Sequence, residues 1–386
     1  MQPAYEVATL LNRHWDRAND QLQLNGWQWR TLHAIRRCRT AALGGHVDQC
    51  DHCGHLRISY NSCRNRHCPK CQGQKRERWI EARRAELLPV TYFHVVFTLP
   101  QQINPIALYQ PEVVYGLLFT TAWHTIQSFA SDPKYLGAQT GMISILHTWG
   151  QSLSLHPHLH CIIPAGGITK AGRWKTSRSK GKYLYPVKAL SKVFRARYVA
   201  ALRKALKGQS KSFFQSLFKT PWVVYAKRPF GGPEQVIEYL GRYTHKIAIT
   251  SHRITNMDDQ SISFRYKDYR GQGVNKIMTL DGVEFIRRFS MHILPKGFVR
   301  IRHYGMLSNT VKPVALPMLQ EQLMPGMPYK IPKNPDAVAV PSASRCPCCK
   351  KGLMQHVMDF DYRGPPMDMI QLLLKQKNND PLQTTV

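Results

Sequence analysis

Residues 156–164 read His-Pro-His-Leu-His-Cys-Ile-Ile-Pro, and residues 142–151 just before them read Met-Ile-Ser-Ile-Leu-His-Thr-Trp-Gly-Gln. Side chains alternate across a strand with period two, so a strand over 158–163 sends His158 and His160 out of one face. The run 142–149 has strand composition and lies close enough to pair with it antiparallel, and Gly166-Gly167 is expected to end the second strand. Two imidazoles on one face, backed by apolar residues, can hold a divalent cation. No carboxylate lies nearby, so a local third ligand is Gln151 or His147. Gln151 is preferred, because a hairpin could bring it back over the histidine pair.

Outward from this pair the pattern is mixed. Residues 1–45 carry helical spacing (Val7, Leu10, Leu11, Trp15), with a second helix over 27–35. Basic residues over 75–87 predict another. Residues 92–98, Tyr-Phe-His-Val-Val-Phe-Thr, predict a buried strand, and 105–130 a helix. Residues 187–207 predict an amphipathic helix with Leu190, Val193, Phe194, Tyr198, Leu202 and Leu206 inward. Strands are expected at 222–226, 247–250 and 262–266, and Pro233 opens a helix to about 243. Prolines thicken from 313 to 341 as in a linker, and the end from Gly364 reads as loose. The fold class is α+β, with a helical, cysteine-rich module over 1–88, a sheet domain over 89–310 and a tail over 311–386.

Charge bounds the partner. The 386 residues hold 54 Lys+Arg against 23 Asp+Glu, a formal net charge of +31. Between Asp132 and Glu234 there are 101 residues (133 to 233) without a carboxylate, and eighteen of them are Lys or Arg. A surface of one sign on that scale fits a phosphate backbone, whose condensed counterions are released on binding. The same stretch disfavours a carboxylate-triad enzyme. No secretory leader and no apolar run long enough for a membrane is read, so a cytoplasmic, nucleoid-associated protein is expected.

The ten cysteines are clustered, which suits metal in a reducing compartment. Cys50-Asp-His-Cys53 and Cys68-Pro-Lys-Cys71 are two C-x2-C pairs with ligand spacing for one structural zinc. Cys63 and His67 compete for a place in that set. Arg64, Arg66 and Lys70 beside it suggest contact with DNA. Cys346-Pro-Cys-Cys349 has one clear pair, with His356 as possible help, and a metal there is left open.

Residues 238–246 read Glu-Tyr-Leu-Gly-Arg-Tyr-Thr-His-Lys. Tyr239 and Tyr243, four apart, share a helix face, and Arg242 and Lys246 suit a phosphate-facing helix. Alone, such a pair is more often packing than catalysis.

Taken together, Phe97-Thr-Leu99, His158-Leu-His160 and the paired tyrosines resemble the three motifs of rolling-circle HUH nucleases. With residues 60–71 (Tyr-Asn-Ser-Cys-Arg-Asn-Arg-His-Cys-Pro-Lys-Cys), 147–151 and 239–245, the chain is similar to transposases of the insertion sequence 91 family over about 10–310. The resemblance implies an antiparallel HUH-nuclease sheet flanked by helices. It implies Mg or Mn on His158, His160 and the third ligand, and attack by Tyr239 or Tyr243, with Tyr243 favoured for the first cut. A 5′-phosphotyrosine intermediate on single-stranded DNA, at the element's ends and at the target, would follow, with no membrane and no small-molecule substrate. A plasmid replication initiator or relaxase would share this chemistry. A non-catalytic zinc-containing DNA-binding protein would not.

Overall fold

The computed structural model describes residues 4–71, 77, 80–81, 83–84, 86–178, 184–226, 230, 235–236, 238–239, 241, 247–269, 271, 273–326 and 344–378. Three helices open the chain, α1 (Val7–Arg13), α2 (Trp15–Gln21) and α3 (Gly26–Arg36). Asn25 starts α3 with a capping box: its side chain accepts from the Gln28 amide, and its own amide donates to the Gln28 side chain. The hairpin β1 (Gly45–Cys50) and β2 (Leu56–Tyr60) follows.

The central segment runs β3 (Tyr92–Thr98), α4 (Asn104–Tyr109), α5 (Pro111–Ser131), β4 (Gly141–Trp149), β5 (Leu155–Pro164), β6 (Gly166–Ile168), β7 (Trp174–Thr176), α6 (Val187–Ala205), α7 (Lys211–Lys219) and β8 (Val224–Ala226). After it come β9 (Ile254–Met257), β10 (Ser261–Asp268), β11 (Val274–Asp281), α8 (Gly282–Ser290), β12 (Ile301–Gly305), α9 (Lys312–Leu323), β13 (Met354–Phe360) and α10 (Met367–Asn378).

Five strands form an antiparallel sheet in the order β12-β4-β5-β3-β8. Period-two alternation gives it two apolar faces. Phe93, Val95, Phe97, Leu146, Leu159, Cys161 and Ile163 pack against Leu118, Phe119, Ala122, Phe194 and Tyr198 of α5 and α6. On the opposite face Tyr92, Ile143, Ile145 and Ile162 meet Val236 and Ala315, Leu316 and Leu319 of α9. A third core joins Leu10, Leu11 and Ile35 of the first helices to Ile262, Phe264, Phe285 and Ile286. The N-terminal helices therefore share apolar surface with residues more than two hundred positions away.

Several expectations are corrected. Residues 312–323 are helix, not linker, with Pro313 in the first turn and Pro317 inside. The end is not all loose, since α10 follows Gly364. Residues 247–250 are not a strand, although Ile247, Ala248 and Ile249 are buried. The second strand ends at Pro164, as Gly166-Gly167 led one to expect, and the two glycines then open a second hairpin. A Cβ at Gly166 would lie 2.5 Å from the Lys175 carbonyl oxygen, and one at Gly167 2.4 Å from that of Gln139. Close backbone approach requires glycine there.

Candidate active site

The register of β4 on β5 sets His147 opposite His158 and Ile145 opposite His160, so all three imidazoles leave one face. One nitrogen from each of His147, His158 and His160 lies within 4.8 Å of the other two. The Nε2 atoms of His158 and His160 are 3.2 Å apart. Nitrogens bound to one cation at about 2.1 Å would stand about 3.0–3.4 Å apart, so the pair fits a shared ion. His158 Nδ1 donates to the His156 carbonyl at 2.7 Å, which puts the ring's lone pair on Nε2, the atom facing His160 Nε2.

Sequence reasoning prefers Gln151 as the third ligand. It lies past the end of β4, beyond the register shift between His147 and Trp149, and its carbonyl accepts from Arg253. It lines an open cleft of about 790 Å³ with His156, Tyr266, Lys267, Tyr269 and Arg288. Gln151 sits in the turn after β4, while strand pairing holds His147 opposite His158.

Tyr239 reaches the same face from a helical stretch. Its hydroxyl lies 2.9 Å from His94 Nε2 and 3.4 Å from His160 Nδ1. His94 Nε2 is in turn 2.9 Å from His160 Nδ1, and the two rings stack. His94 is buried on β3, and sequence reasoning missed it as a functional residue. Its signal was a histidine in a strand of apolar and aromatic residues, in phase with Tyr92 and Val96. Tyr243, Arg242 and Lys246 lie outside the described residues.

The cysteines do not form the single set Cys50, Cys53, Cys68 and Cys71. Cys68 and Cys71 gather with Cys38 and Cys63, whereas Cys50 and Cys53 gather with Cys346 and Cys349. In the first set Cys38 Sγ lies 3.4 Å, and Cys63 Sγ 3.6 Å, from Cys71 Sγ. A tetrahedral zinc with bonds of about 2.3 Å spaces its sulfurs about 3.8 Å apart, so these thiols fit one ion. His67 is excluded from the set by its own contact, since its Nε2 accepts from the Leu294 amide at 3.3 Å. His356 faces Asp359 at 3.4 Å, away from the second set.

Two of the residues expected on DNA are engaged within the protein. The Arg66 guanidinium donates to the carbonyls of Pro295 and Phe298, and its partial burial lowers its pKa. Lys70 pairs with Glu6 at 2.6 Å. A buried guanidinium needs acceptors, and the chain before β12 supplies them. Arg64 is exposed, with a left-handed φ of 51°.

Residues 10–99 match a family described as a transposase zinc-binding domain, and residues 141–313 match one described as "Putative transposase". "Putative transposase y4qJ" of Sinorhizobium fredii is 44% identical over 94% of this chain and 97% of its own length. The transposase for insertion sequence element IS801 of Pseudomonas savastanoi pv. phaseolicola is 27% identical over 86% of this chain and 84% of its own. Zinc domain, transposase domain and near full-length relatives agree: the chain belongs to the insertion sequence 91 family of transposases.

Proposed function

We propose that this transposase cuts and rejoins single-stranded DNA at its element's ends and target, through a 5′-phosphotyrosine, in rolling-circle transposition. The observation that carries the reading is the Tyr239 hydroxyl 2.9 Å from His94, beside the His147, His158 and His160 group. A phenol of pKa about 10 is a weak nucleophile near neutrality. His94 takes its proton as the phenolic oxygen bonds to phosphorus. The bond from phosphorus to the 3′-oxygen breaks, and that oxygen takes a proton from solvent water and leaves as a 3′-hydroxyl. Rejoining is the reverse attack by a 3′-hydroxyl, which conserves the phosphodiester and needs no ATP.

Three imidazoles fit a divalent cation, which would supply charge neutralisation at the phosphate oxygens. Three neutral nitrogens without a carboxylate are a softer set than Mg selects, so Mn fits better of the two. His147, His158 and His160 would hold it. Tyr239, as the hydroxyl beside the histidines, makes the first cut, reversing the order expected from sequence, and Tyr243 serves the second strand. The carboxylate-free stretch 133–233 and the aromatic, basic cleft at Tyr266, Lys267 and Tyr269 bind the strand by charge and stacking. Arg64, Arg242 and Lys246 are further candidate contacts to the DNA. Replication initiators and relaxases would share the chemistry, and family membership favours transposition.

The test incubates the protein with end-labelled single-stranded DNA of the element's ends and Mn. An adduct that survives denaturant and maps to Tyr239 supports the reading. DNA binding without any adduct leaves only a binding protein. An adduct on Tyr243 alone would reverse the order of the two tyrosines, and one on any other residue overturns the site.

A further inference from the structure

We propose that Cys50, Cys53, Cys346 and Cys349 bind a second structural zinc, which fastens the C-terminal segment to the N-terminal hairpin. The site stands apart from the Cys38, Cys63, Cys68 and Cys71 set and does not depend on the nuclease reading. Cys346 and Cys349 lie outside both family matches, which end at residues 99 and 313.

The geometry is that of two equivalent knuckles. Each is a C-x2-C followed by a residue with left-handed backbone: Gly54 with φ 69° after Cys53, and Lys350 with φ 57° after Cys349. In each, that residue's amide donates to the carbonyl of the first cysteine, Gly54 to Cys50 at 3.1 Å and Lys350 to Cys346 at 3.0 Å. In each, the first cysteine's amide closes the loop, Cys50 onto the His55 carbonyl at 2.9 Å and Cys346 onto that of Gly352 at 2.8 Å. Backbone amides point at sulfur in both, His52 to Cys50 and Gly352 to Cys349, each at 3.4 Å. Such donors stabilise thiolates, the form a metal takes.

The knuckles also meet at ligand distance. Cys50 Sγ lies 3.7 Å from Cys349 Sγ, and Cys53 Sγ lies 3.7 Å from Cys346 Sγ. That is close to the roughly 3.8 Å of a tetrahedral four-sulfur zinc, and far above the roughly 2.05 Å of a disulfide. Gly352 permits the approach: a Cβ there would stand 2.5 Å from Cys50 Sγ. Strand pairing continues the join, with β13 antiparallel to β1 from Cys50 opposite Met354 to Gly45 opposite Phe360. Apart from its cysteine, the three-stranded sheet β13-β1-β2 has few buried apolar residues, namely Val47, Leu56, Met354 and Phe360. So small a core needs a metal.

Metal analysis of the purified full chain carrying His158→Ala, which keeps zinc off the imidazole group, is expected to give two zinc per chain, and the cysteine variants are made in that background. Cys349→Ser and Cys53→Ser should each leave one, and the double variant should also leave one, because both remove the same ion. Cys63→Ser combined with Cys349→Ser should leave none. Cys348→Ser, an exposed cysteine outside both sets, should retain two. X-ray absorption on the His158→Ala protein with all its cysteines intact guards against cysteine variants that misfold, and should show only sulfur at about 2.3 Å. One zinc in that protein, two retained when Cys349→Ser is added, or a mixed nitrogen and sulfur shell would overturn the proposal.

Discussion

Changing Tyr239 to Phe removes one oxygen and leaves the ring against His94 and Phe230, whose centroids lie 4.6 and 5.1 Å away. Tyr239→Phe should therefore abolish the covalent adduct while single-stranded DNA binding stays within about two-fold, since charge supplies most of that affinity. His94→Ala should slow cleavage about 10²–10⁴-fold, the range of a positioned base, and should shift the pH profile of the cutting rate. A structural role alone would leave that profile in place. His147→Ala should be dead where Gln151→Ala still cuts; equal loss in both would return Gln151 to the ligand set. His158 and His160 could be read from sequence because they sit two residues apart on one strand. His147 needed the register across a hairpin, and His94 meets His160 from 66 residues away, through the pairing of β3 with β5. Cys38 was invisible for a similar reason: a lone cysteine 25 residues from Cys63 carries no knuckle spacing.

At the scale of elements, α9 shows why proline density misled. Pro313 occupies the first turn, where a missing amide costs little. Pro317 falls one turn later, where its missing amide would have donated to residue 313. Burial of Ala315, Leu316 and Leu319 against the sheet offsets that loss. Leu319→Ala should thus destabilise the chain by about 2–5 kcal/mol in urea unfolding, as a buried leucine does. A loss under about 0.5 kcal/mol, the size of a surface substitution, would mean that α9 is not docked. The strands at 92–98 and 142–149 were legible, since aromatic and β-branched runs need no long-range information. The break between α4 and α5 at Gln110, ahead of Pro111, was missed because the apolar pattern runs through it.

For the whole molecule, histidines held neutral tie stability to pH, among them the buried His292 and the half-buried His303. Burial lowers His292 to about 4, and its nitrogens face Thr148 Oγ1 and the Leu153 carbonyl. Burial first, then Arg83 and Lys312, lowers His303 to about 3, and Arg83 lies 3.3 Å from its Nε2. Both are neutral in the folded chain. The unfolded chain takes up protons near the ordinary histidine value of 6.5, whereas the folded chain refuses them until about 4 and 3. A state that binds more protons is favoured as pH falls, so stability is full above 6.5 and declines below it. The slope is on the order of 1.4 kcal/mol per pH unit for each histidine, and it ends as the folded values are reached. Zinc release in acid pulls the same way, so the decline by itself does not identify the histidines. His303→Gln separates them, because it keeps a neutral polar group and leaves both cysteine sets intact. Urea unfolding of the parent and of His303→Gln at pH 7.5, 6.5 and 5.5 should show the variant losing less stability with each step, by roughly one histidine's share of the slope. Parallel pH dependences in the two proteins would show that His303 contributes nothing to the acid sensitivity.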